Sequence, residues 1–341
     1  MTTTRRCIAS SLRRCVAASL RYCVAASLAA AAFAAAAQGW SPQRNVEIVV
    51  TSAPGGSNDR TARQVEKAIA ENRLLGVTLS IVNRPGGNGN IAYTYVNQHA
   101  GDAHYLLIGT PTLLTNHITG QGGLYYNDFT PVASLFNDYT VFAVNAASAI
   151  RNDRDLAERI RKDPRSVATG FAVALGAHNH IAACLLVKAL GGMPRELKGV
   201  VFKGSADALT ALLGGHIDLV TTAAGNAAPH VAAGRLRVVA AAAPGRLGGA
   251  LAGVPTWREQ GVDLVFGGWR AIMAPKGLAP AQVAYWEGVL RKATQAPDWR
   301  SDLEKNYWSD EFMAGAQFRA YLDKDYGSMK AILTELGLAK Q

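Results

Sequence analysis

Residues 55–59 (GGSND) combine a glycine turn with hydroxyl, amide and carboxyl groups, the residue types of a nucleophile, a phosphate loop or an anion cradle. A nucleophile elbow has the pattern Gly-x-Ser-x-Gly, but Asp59 stands where the second glycine is required. A phosphate loop needs Gly-Lys-Ser/Thr, and no lysine follows these glycines. Two interpretations fit better: backbone N–H groups at a helix start that hold an anion, or a plain turn in which Ser57 or Asn58 caps the helix.

A second glycine segment, residues 87–92 (GNGNIA), matches a loose dinucleotide fingerprint, Gly-x-Gly-x-x-Ala, between a strand and a helix. The fingerprint also requires an acidic residue about 20 positions further on. Residues 105–109 (YLLIG) contain no acid. We therefore predict no dinucleotide site and no cofactor.

The pair His178 and His180, in GAHNH, is spaced so that both rings can face one metal ion from a strand or loop. Metal sites need three or four ligands, and no cluster of Cys, Asp or Glu lies nearby in the sequence. We therefore predict no metal site and expect His178 or Asn179 to hydrogen-bond a ligand instead. Cys184 lies in an apolar run and is interpreted as a small buried hydrophobe, and Trp269 as a core residue.

Alternating strand and helix patterns must position these segments. β-branched runs at 46–52, 77–82 and 105–108 predict strands, and apolar residues at helical spacing predict a helix over 58–75. The middle of the chain repeats this alternation, and the end from residue 281 is predicted to be mostly helical. This order predicts an α/β fold of mostly parallel sheets flanked by helices, in which ligands bind beyond the carboxyl ends of the strands.

The first 37 residues have the layout of a secretory signal peptide: basic residues, an alanine-rich apolar run and small residues at the end. We predict cleavage after Ala37 and a periplasmic mature protein, with an uncleaved anchor as the alternative. This leader holds five of the 35 Lys and Arg residues and no acid, so the rest of the chain is only mildly basic. No Lys/Arg block with interleaved aromatic residues appears, and nucleic acid is therefore not an expected partner.

Several motifs in a fixed order carry a resemblance to a known family. They are APGGSNDRTAR, VNRPGGNGNIA, YLLIGT, YNDFTPVA, VVFKGSADALTALLGGHIDLV, GVPTWREQGVDL and WRAIMAPKGL. Each motif alone is weak, but their order and spacing are specific. The sequence resembles the substrate-binding proteins of tripartite tricarboxylate transporters, also called Bug proteins, and within them the tricarboxylate-binding branch.

The resemblance implies a two-lobed periplasmic-binding-protein type II fold, in which each lobe is a sheet flanked by helices and the ligand lies in a cleft between the lobes. After the signal peptide (1–37), we expect lobe 1 to comprise 38–140 and lobe 2 to comprise 141–264. Residues 265–341 are expected to return to lobe 1 and to form the C-terminal helices. The lobes close on the ligand by a hinge motion in such proteins.

The resemblance also implies that loops at the strand ends hold the oxygens of a carboxylate. The matching positions are Gly55, Gly56, Ser57, Asn58, Thr110, Pro111 and Thr112 in lobe 1, and Gly176, His178, Asn179, Thr221, Thr222 and Ala223 in lobe 2. Backbone amides and hydroxyls suit a carboxylate without an arginine clamp. No catalytic residue is expected. On this basis, Gly56→Val should block the approach of a ligand and leave the fold largely intact.

The resulting hypothesis is a periplasmic, monomeric solute-binding protein, not an enzyme, that delivers an organic carboxylate to the membrane permease subunits of a transporter. A citrate-like tricarboxylate is favoured. The loops GTPT and GAHNH depart from the sequences usual in the family, so an aromatic or dicarboxylic acid stays open. Two other functions also stay open: a ligand sensor for a two-component system, and a secreted serine hydrolase that uses Ser57.

Overall fold

The computed structural model describes residues 39–172 and 174–340. The predicted signal peptide and its cleavage point therefore lie outside the described residues. Within these ranges, no helix is long and apolar enough to cross a membrane. The elements below all belong to the compact unit that begins at Pro42.

Strands and helices alternate through most of this unit. The strands are β1 (Val46–Val50), β2 (Leu79–Asn83), β3 (Tyr105–Gly109), β4 (Phe129–Asn145), β5 (Thr169–Ala172), β6 (Gly199–Phe202), β7 (Leu219–Ala223), β8 (Leu236–Ala241), β9 (Gly267–Pro275) and β10 (Ser309–Ala314). The helices are α1 (Ser57–Glu71), α2 (Asn90–Asn97), α3 (Thr112–Thr119), α4 (Asp153–Lys162), α5 (His178–Ala189), α6 (Ser205–Leu213), α7 (Ala224–Ala232), α8 (Pro280–Thr294), α9 (Pro297–Asn306) and α10 (Gly315–Glu335). The predicted α/β class is confirmed.

Two mixed sheets share strand β4. In the first sheet, β1 pairs in parallel with β2 and β3, while β9 pairs antiparallel with both β3 and β4, and β10 antiparallel with β4. In the second sheet, β5 pairs in parallel with β6 and β7, and β4 pairs antiparallel with β7 and β8. Each sheet thus has a parallel trio next to antiparallel strands.

The pairing partner of β4 changes along its length. From Phe129 to Tyr139 it is in register with β9, and from Thr140 to Ala143 it is in register with β7. Its aromatic and β-branched side chains suit a strand covered on both faces, and most of its residues are buried. The change between Tyr139 and Thr140 lies beside the predicted lobe boundary at 140/141, and the division into lobes remains a prediction.

The prediction of a mostly helical chain from residue 281 is confirmed by α8, α9 and α10. One strand that was not predicted, β10, separates α9 from α10 and pairs with β4. A strand of six residues is too short for its periodicity to be distinguished from the surrounding helices. Cys184 and Trp269 are fully buried, as predicted.

Candidate ligand-binding cleft

A cavity of about 450 Å³ is lined by residues from both sheets. Its wall collects the loops that follow β1, β3, β5 and β7, together with side chains from the middle of β4 and the start of β9. The carboxyl ends of parallel strands are where α/β sheets bind ligands. The volume suits a small organic molecule, since such pockets span roughly 300–1,000 Å³.

Nine of the thirteen predicted positions line this cavity. They are Ser57, Asn58, Thr110, Pro111, Thr112, Gly176, His178, Asn179 and Ala223, and we call them the loop wall. The structure does not bring the other four, Gly55, Gly56, Thr221 and Thr222, to the cavity. The cavity therefore joins segments of both predicted lobes, and the role of these residues in binding stays a prediction.

The two glycines before α1 have other partners. Gly55 donates its N–H to Asp59 Oδ2 (2.8 Å), and Gly56 donates to the Ala53 carbonyl (3.0 Å), so neither amide is free for an anion. Burial opposes the ionisation of Asp59, but hydrogen bonds from Arg63, Gly55 and Asn83 outweigh it and lower the pKa of that carboxyl. These contacts fix a turn, and the part of the anion-cradle prediction that rests on these two amides is wrong.

The helix start differs from the interpretation in which Ser57 or Asn58 caps the helix. Gly56 occupies the N-cap position of α1, without a side-chain cap, and Ser57 and Asn58 are the first helical residues. Their position in the first turn leaves backbone N–H groups without intrahelical acceptors. A Cβ at Gly56 comes within 2.7 Å of Ser52 Oγ. Our expectation that Gly56→Val leaves the fold intact is therefore wrong, because the valine strains the turn itself.

The threonines of β7 support the cavity from behind its wall. Thr221 Oγ1 donates to the Asn179 carbonyl (2.8 Å), and Thr222 Oγ1 accepts a hydrogen bond from Asn226 Nδ2 (3.1 Å). Asn179 and Asn226 both line the cavity. The two threonines, which are buried, thus hold lining residues and do not face the cavity themselves.

The two histidines of GAHNH have separate environments. His180 Nδ1 accepts the Gly176 N–H (2.9 Å), in a loop that Gly176 enters with φ +79°. His178 lines the cavity, stacks on Phe266 and places Nε2 at 3.4 Å from Thr140 Oγ1. Burial, aided by the positive charge of Arg270, lowers the pKa of His178 to about 3, so the ring is neutral at pH 7. Over the described ranges no cluster of three metal-ligating side chains occurs.

Sequence reasoning missed the residues that β4 and β9 contribute. Asp138 and Thr140 from β4, with Gly268 and Arg270 from β9, form what we call the strand wall of the cavity. Arg270 Nη1 donates to the Gly268 carbonyl (2.8 Å) and Nη2 donates to Ser57 Oγ (3.2 Å). An arginine therefore lines the cleft, although our expectation from the sequence is a carboxylate site without an arginine clamp.

Asp138 is the one acid among the described residues that line this cavity, and three cations line it as well. Burial raises the pKa of Asp138 to about 6, although the nearby charge of Arg270 and a hydrogen bond from Trp308 oppose that rise. Burial also lowers the pKa of Arg270, which stays protonated because its ordinary value is far above neutrality. Arg60 and Lys305 line the same cavity, and Lys305 is also paired with Asp302 (3.7 Å).

A signal for these missed residues was present in the sequence. Asp138 and Arg270 are single charged residues inside the apolar strands FTPVASLFNDYTVFAVN and GGWRAIMAP. Charged groups are rarely buried without a partner, so a lone charge in a buried strand indicates a partner in the protein or in a ligand. Trp308, which also lines the cavity, follows α9 in a segment without such a signal.

Solved structures similar to this chain include solute-binding proteins. A TctC solute-binding protein from Polaromonas has a TM-score of 0.76 and 25% identity over 86% of this chain and 99% of its own. The R. palustris protein Rpa4515 with adipate (TM-score 0.72, 26% identity) covers 87% of this chain and 99% of its own. MatC from Rhodopseudomonas palustris with bound malate has a TM-score of 0.68 and 26% identity, and the match covers 86% of this chain and 99% of MatC. The fold is that of periplasmic binding proteins of the TctC/Bug type.

Family membership is shown by the sequence match. The family model described as "Tripartite tricarboxylate transporter family receptor" matches residues 61–338. A UPF0065 protein of Bordetella bronchiseptica is 31% identical over 73% of this chain and 72% of its own. Another UPF0065 protein, from Cupriavidus necator, is 26% identical over 88% of this chain and 89% of its own. The chain belongs to the tripartite tricarboxylate transporter receptor family, as its motifs predicted.

Proposed function

We propose that this protein is a periplasmic receptor that binds an organic carboxylate in the cleft and delivers it to the membrane permease subunits of a tripartite transporter. The observation that carries the proposal is the charge of the cavity wall, where Arg60 and Arg270 have no ion-paired acid in the described part of the chain and Asp138 is the one lining acid. Guanidinium groups and helix-start amides bind carboxylates well. Structural neighbours of this chain are described with adipate and with malate.

We also propose that the protein binds its ligand without catalysing a reaction on it. Ser57 Oγ accepts its hydrogen bond from Arg270, while His178 is placed against Thr140 and Phe266. In the part of the chain that the structure describes, no histidine is hydrogen-bonded to Ser57, so the serine lacks the adjacent base that a hydrolase requires. We therefore propose that the protein turns over no ester, which a set of model esters tests directly.

A ligand screen tests the binding function. Purified mature protein is heated with citrate, tricarballylate, succinate, malate, adipate or terephthalate, each at millimolar concentration, because a ligand that binds only the folded state raises Tm. We expect at least one carboxylate to raise Tm and to saturate in a calorimetric titration. The matched amides serve as controls and should show no shift, and the Arg270→Gln variant should show a smaller shift than the wild type. Failure of every carboxylate to raise Tm contradicts the proposal.

Delivery and location need a separate test. We propose that the leader is removed after Ala37, so N-terminal sequencing of the exported protein should begin at Gln38. A reconstituted permease should take up the bound carboxylate only when the receptor is added. Uptake that is independent of the receptor contradicts the delivery role while leaving the binding result unchanged. The same preparations give the oligomeric state, for which we propose a monomer.

A further inference from the structure

Asp138 is an unexpected group in a cleft that binds carboxylates. It is in register with Gly268 on the adjacent strand, and Arg270 follows two residues later, so Asp138 and Arg270 are diagonal neighbours. Diagonal side chains on one face of an antiparallel pair lie roughly 7–8 Å apart. Both residues line the cavity, which places a carboxyl group and a guanidinium group side by side on the strand wall.

These two opposite charges do not neutralise each other by contact. Among the described ion pairs, none joins Asp138 to Arg270. The guanidinium is turned to the Gly268 and Trp269 carbonyls and to Ser57. Arg270 Nε and Asp138 Oδ1 are buried and have no hydrogen-bond partner in the part of the chain described. Buried polar atoms normally find a partner, so a ligand, or water that it orders, is expected between them.

The position of Asp138 discriminates between ligands. A plain carboxylate held by Arg270 must bring a second negative charge close to the Asp138 carboxylate, in a site where burial strengthens the repulsion. An ammonium group on the carbon next to that carboxylate turns the repulsion into attraction. Like charges built into a site reject the wrong ligand, which is how many sites obtain specificity.

We propose that the cleft selects carboxylates that also carry an ammonium group beside the carboxylate, with Arg270 facing the carboxylate and Asp138 accepting from the ammonium. The inference rests on the proposed carboxylate-binding function and names its substrate class. Lys305 is paired with Asp302 (3.7 Å), but Arg60 has no acid partner among the described ion pairs and lines the cavity, where it can meet a further carboxylate on the same molecule. This second guanidinium favours an amino acid with two carboxylates over a neutral one.

The burial of Asp138 supports this assignment and also defines the alternative, in which Asp138 is protonated beside a plain dicarboxylate. The raised pKa of the carboxyl, about 6, leaves it mostly ionised at pH 7.5 when the site is empty. A neighbouring ammonium group keeps it ionised, whereas a plain dicarboxylate requires it to take up a proton. Arg270 on β9, the Trp308 indole and Arg60 on α1 oppose the rise in the pKa of Asp138, and His178 on α5 and Lys305 on α9 line the same cavity.

Calorimetric titrations of matched ligand pairs at pH 7.5 test the proposal. The pairs are aspartate with succinate, glutamate with glutarate, and 2-aminoadipate with adipate; malate is added as the hydroxyl analogue of aspartate. We expect the amino member to bind at least tenfold more tightly in one pair or more, without net proton uptake. Repeating the titration in buffers with different ionisation enthalpies measures that uptake.

A variant pair assigns the preference to Asp138. In Asp138→Asn, the amino member should lose at least tenfold in affinity while its plain partner binds as well as before or better. Asp310→Asn, at an exposed acid on β10, is the matched control and should behave like the wild type. Because the ligand pairs decide the question on the wild type, the inference stays testable even if Asp138→Asn does not fold.

Three results overturn the inference. The first is a plain dicarboxylate or malate that binds as tightly as its amino analogue, with uptake of one proton. The second is a preference for the amino member that persists in Asp138→Asn. Both leave the carboxylate-binding function standing. The third, no binding by any member of any pair or by the screened carboxylates, overturns that function and the inference together.

Discussion

The loop wall and the strand wall of the cleft differ in charge and in how firmly they are held. The loop wall, as defined above, is made of hydroxyls, two side-chain amides, a neutral imidazole and backbone groups at helix starts. The strand wall carries Asp138 and Arg270 on two long strands that pair with each other over most of β9. A rigid strand pair fixes charges at set positions, whereas loops supply polar groups that adapt to a ligand. We infer that the strand wall sets the charge pattern that a ligand must match.

The largest effect on affinity should follow from removal of the cation of the strand wall. Arg270→Gln deletes a charge-assisted contact to the carboxylate and leaves Asp138 uncompensated, and we expect Kd to rise about 100-fold or more. Calorimetric titration with the tightest ligand of the screen gives the value. The exposed residue Arg151 offers the control, since Arg151→Gln should leave Kd unchanged.

A smaller effect is expected from the loop wall. Thr112→Val removes one neutral hydroxyl at the start of α3, and a neutral hydrogen bond contributes about 0.5–1.5 kcal/mol, which corresponds to roughly two- to tenfold in Kd. Thr210→Val, on the exposed face of α6, is the matched control. If Kd rises at least as much in Thr112→Val as in Arg270→Gln, the proposed difference between the two walls is contradicted.

The acid sensitivity of the fold should distinguish two residues of the cleft. The pKa of His178 is lowered to about 3, so the unfolded chain binds more protons below pH 6.5 and stability falls as the pH drops. The pKa of Asp138 is raised to about 6, so the folded chain takes up its proton first and gains stability between pH 6 and 4. Between pH 7.5 and 4.5, Tm should fall less in His178→Gln than in the wild type and more in Asp138→Asn. Parallel Tm curves for all three proteins contradict these assignments.

The smallest effect on affinity is expected at the turn before α1. Gly55 has φ +78°, and no atom lies within 4 Å of an added Cβ, so Gly55→Ala should cost about 1 kcal/mol of unfolding free energy from backbone strain alone. Gly56→Ala should cost more, because its Cβ meets Ser52. Urea denaturation measures both. Kd should be unchanged in the two variants under conditions in which each is fully folded. Weaker binding by folded Gly55→Ala would show that the turn contacts the ligand.

Prediction from the sequence named nine positions that line the cavity and missed the strand wall, for a physical reason. Alternating patterns place the loops around Ser57 and Thr110 at one edge of the first sheet. The loop around His178 follows a strand of the second sheet, and only the family resemblance assigned it to the same cleft. The juxtaposition of Asp138 and Arg270 depends on the antiparallel register of strands more than 120 residues apart, and no local pattern specifies that register. The hydrogen bonds that occupy the Gly55 and Gly56 amides likewise depend on Asp59 and on the path of the turn.

A crystal structure of the protein with its tightest carboxylate tests the central claim most directly. The account predicts one carboxylate group within hydrogen-bonding distance, about 3 Å, of the Arg270 guanidinium, with the loop wall contacting the same ligand. A ligand held by the loop wall alone, with Arg270 still turned only to Gly268, Trp269 and Ser57, contradicts the claim that the strand wall sets what the cleft binds.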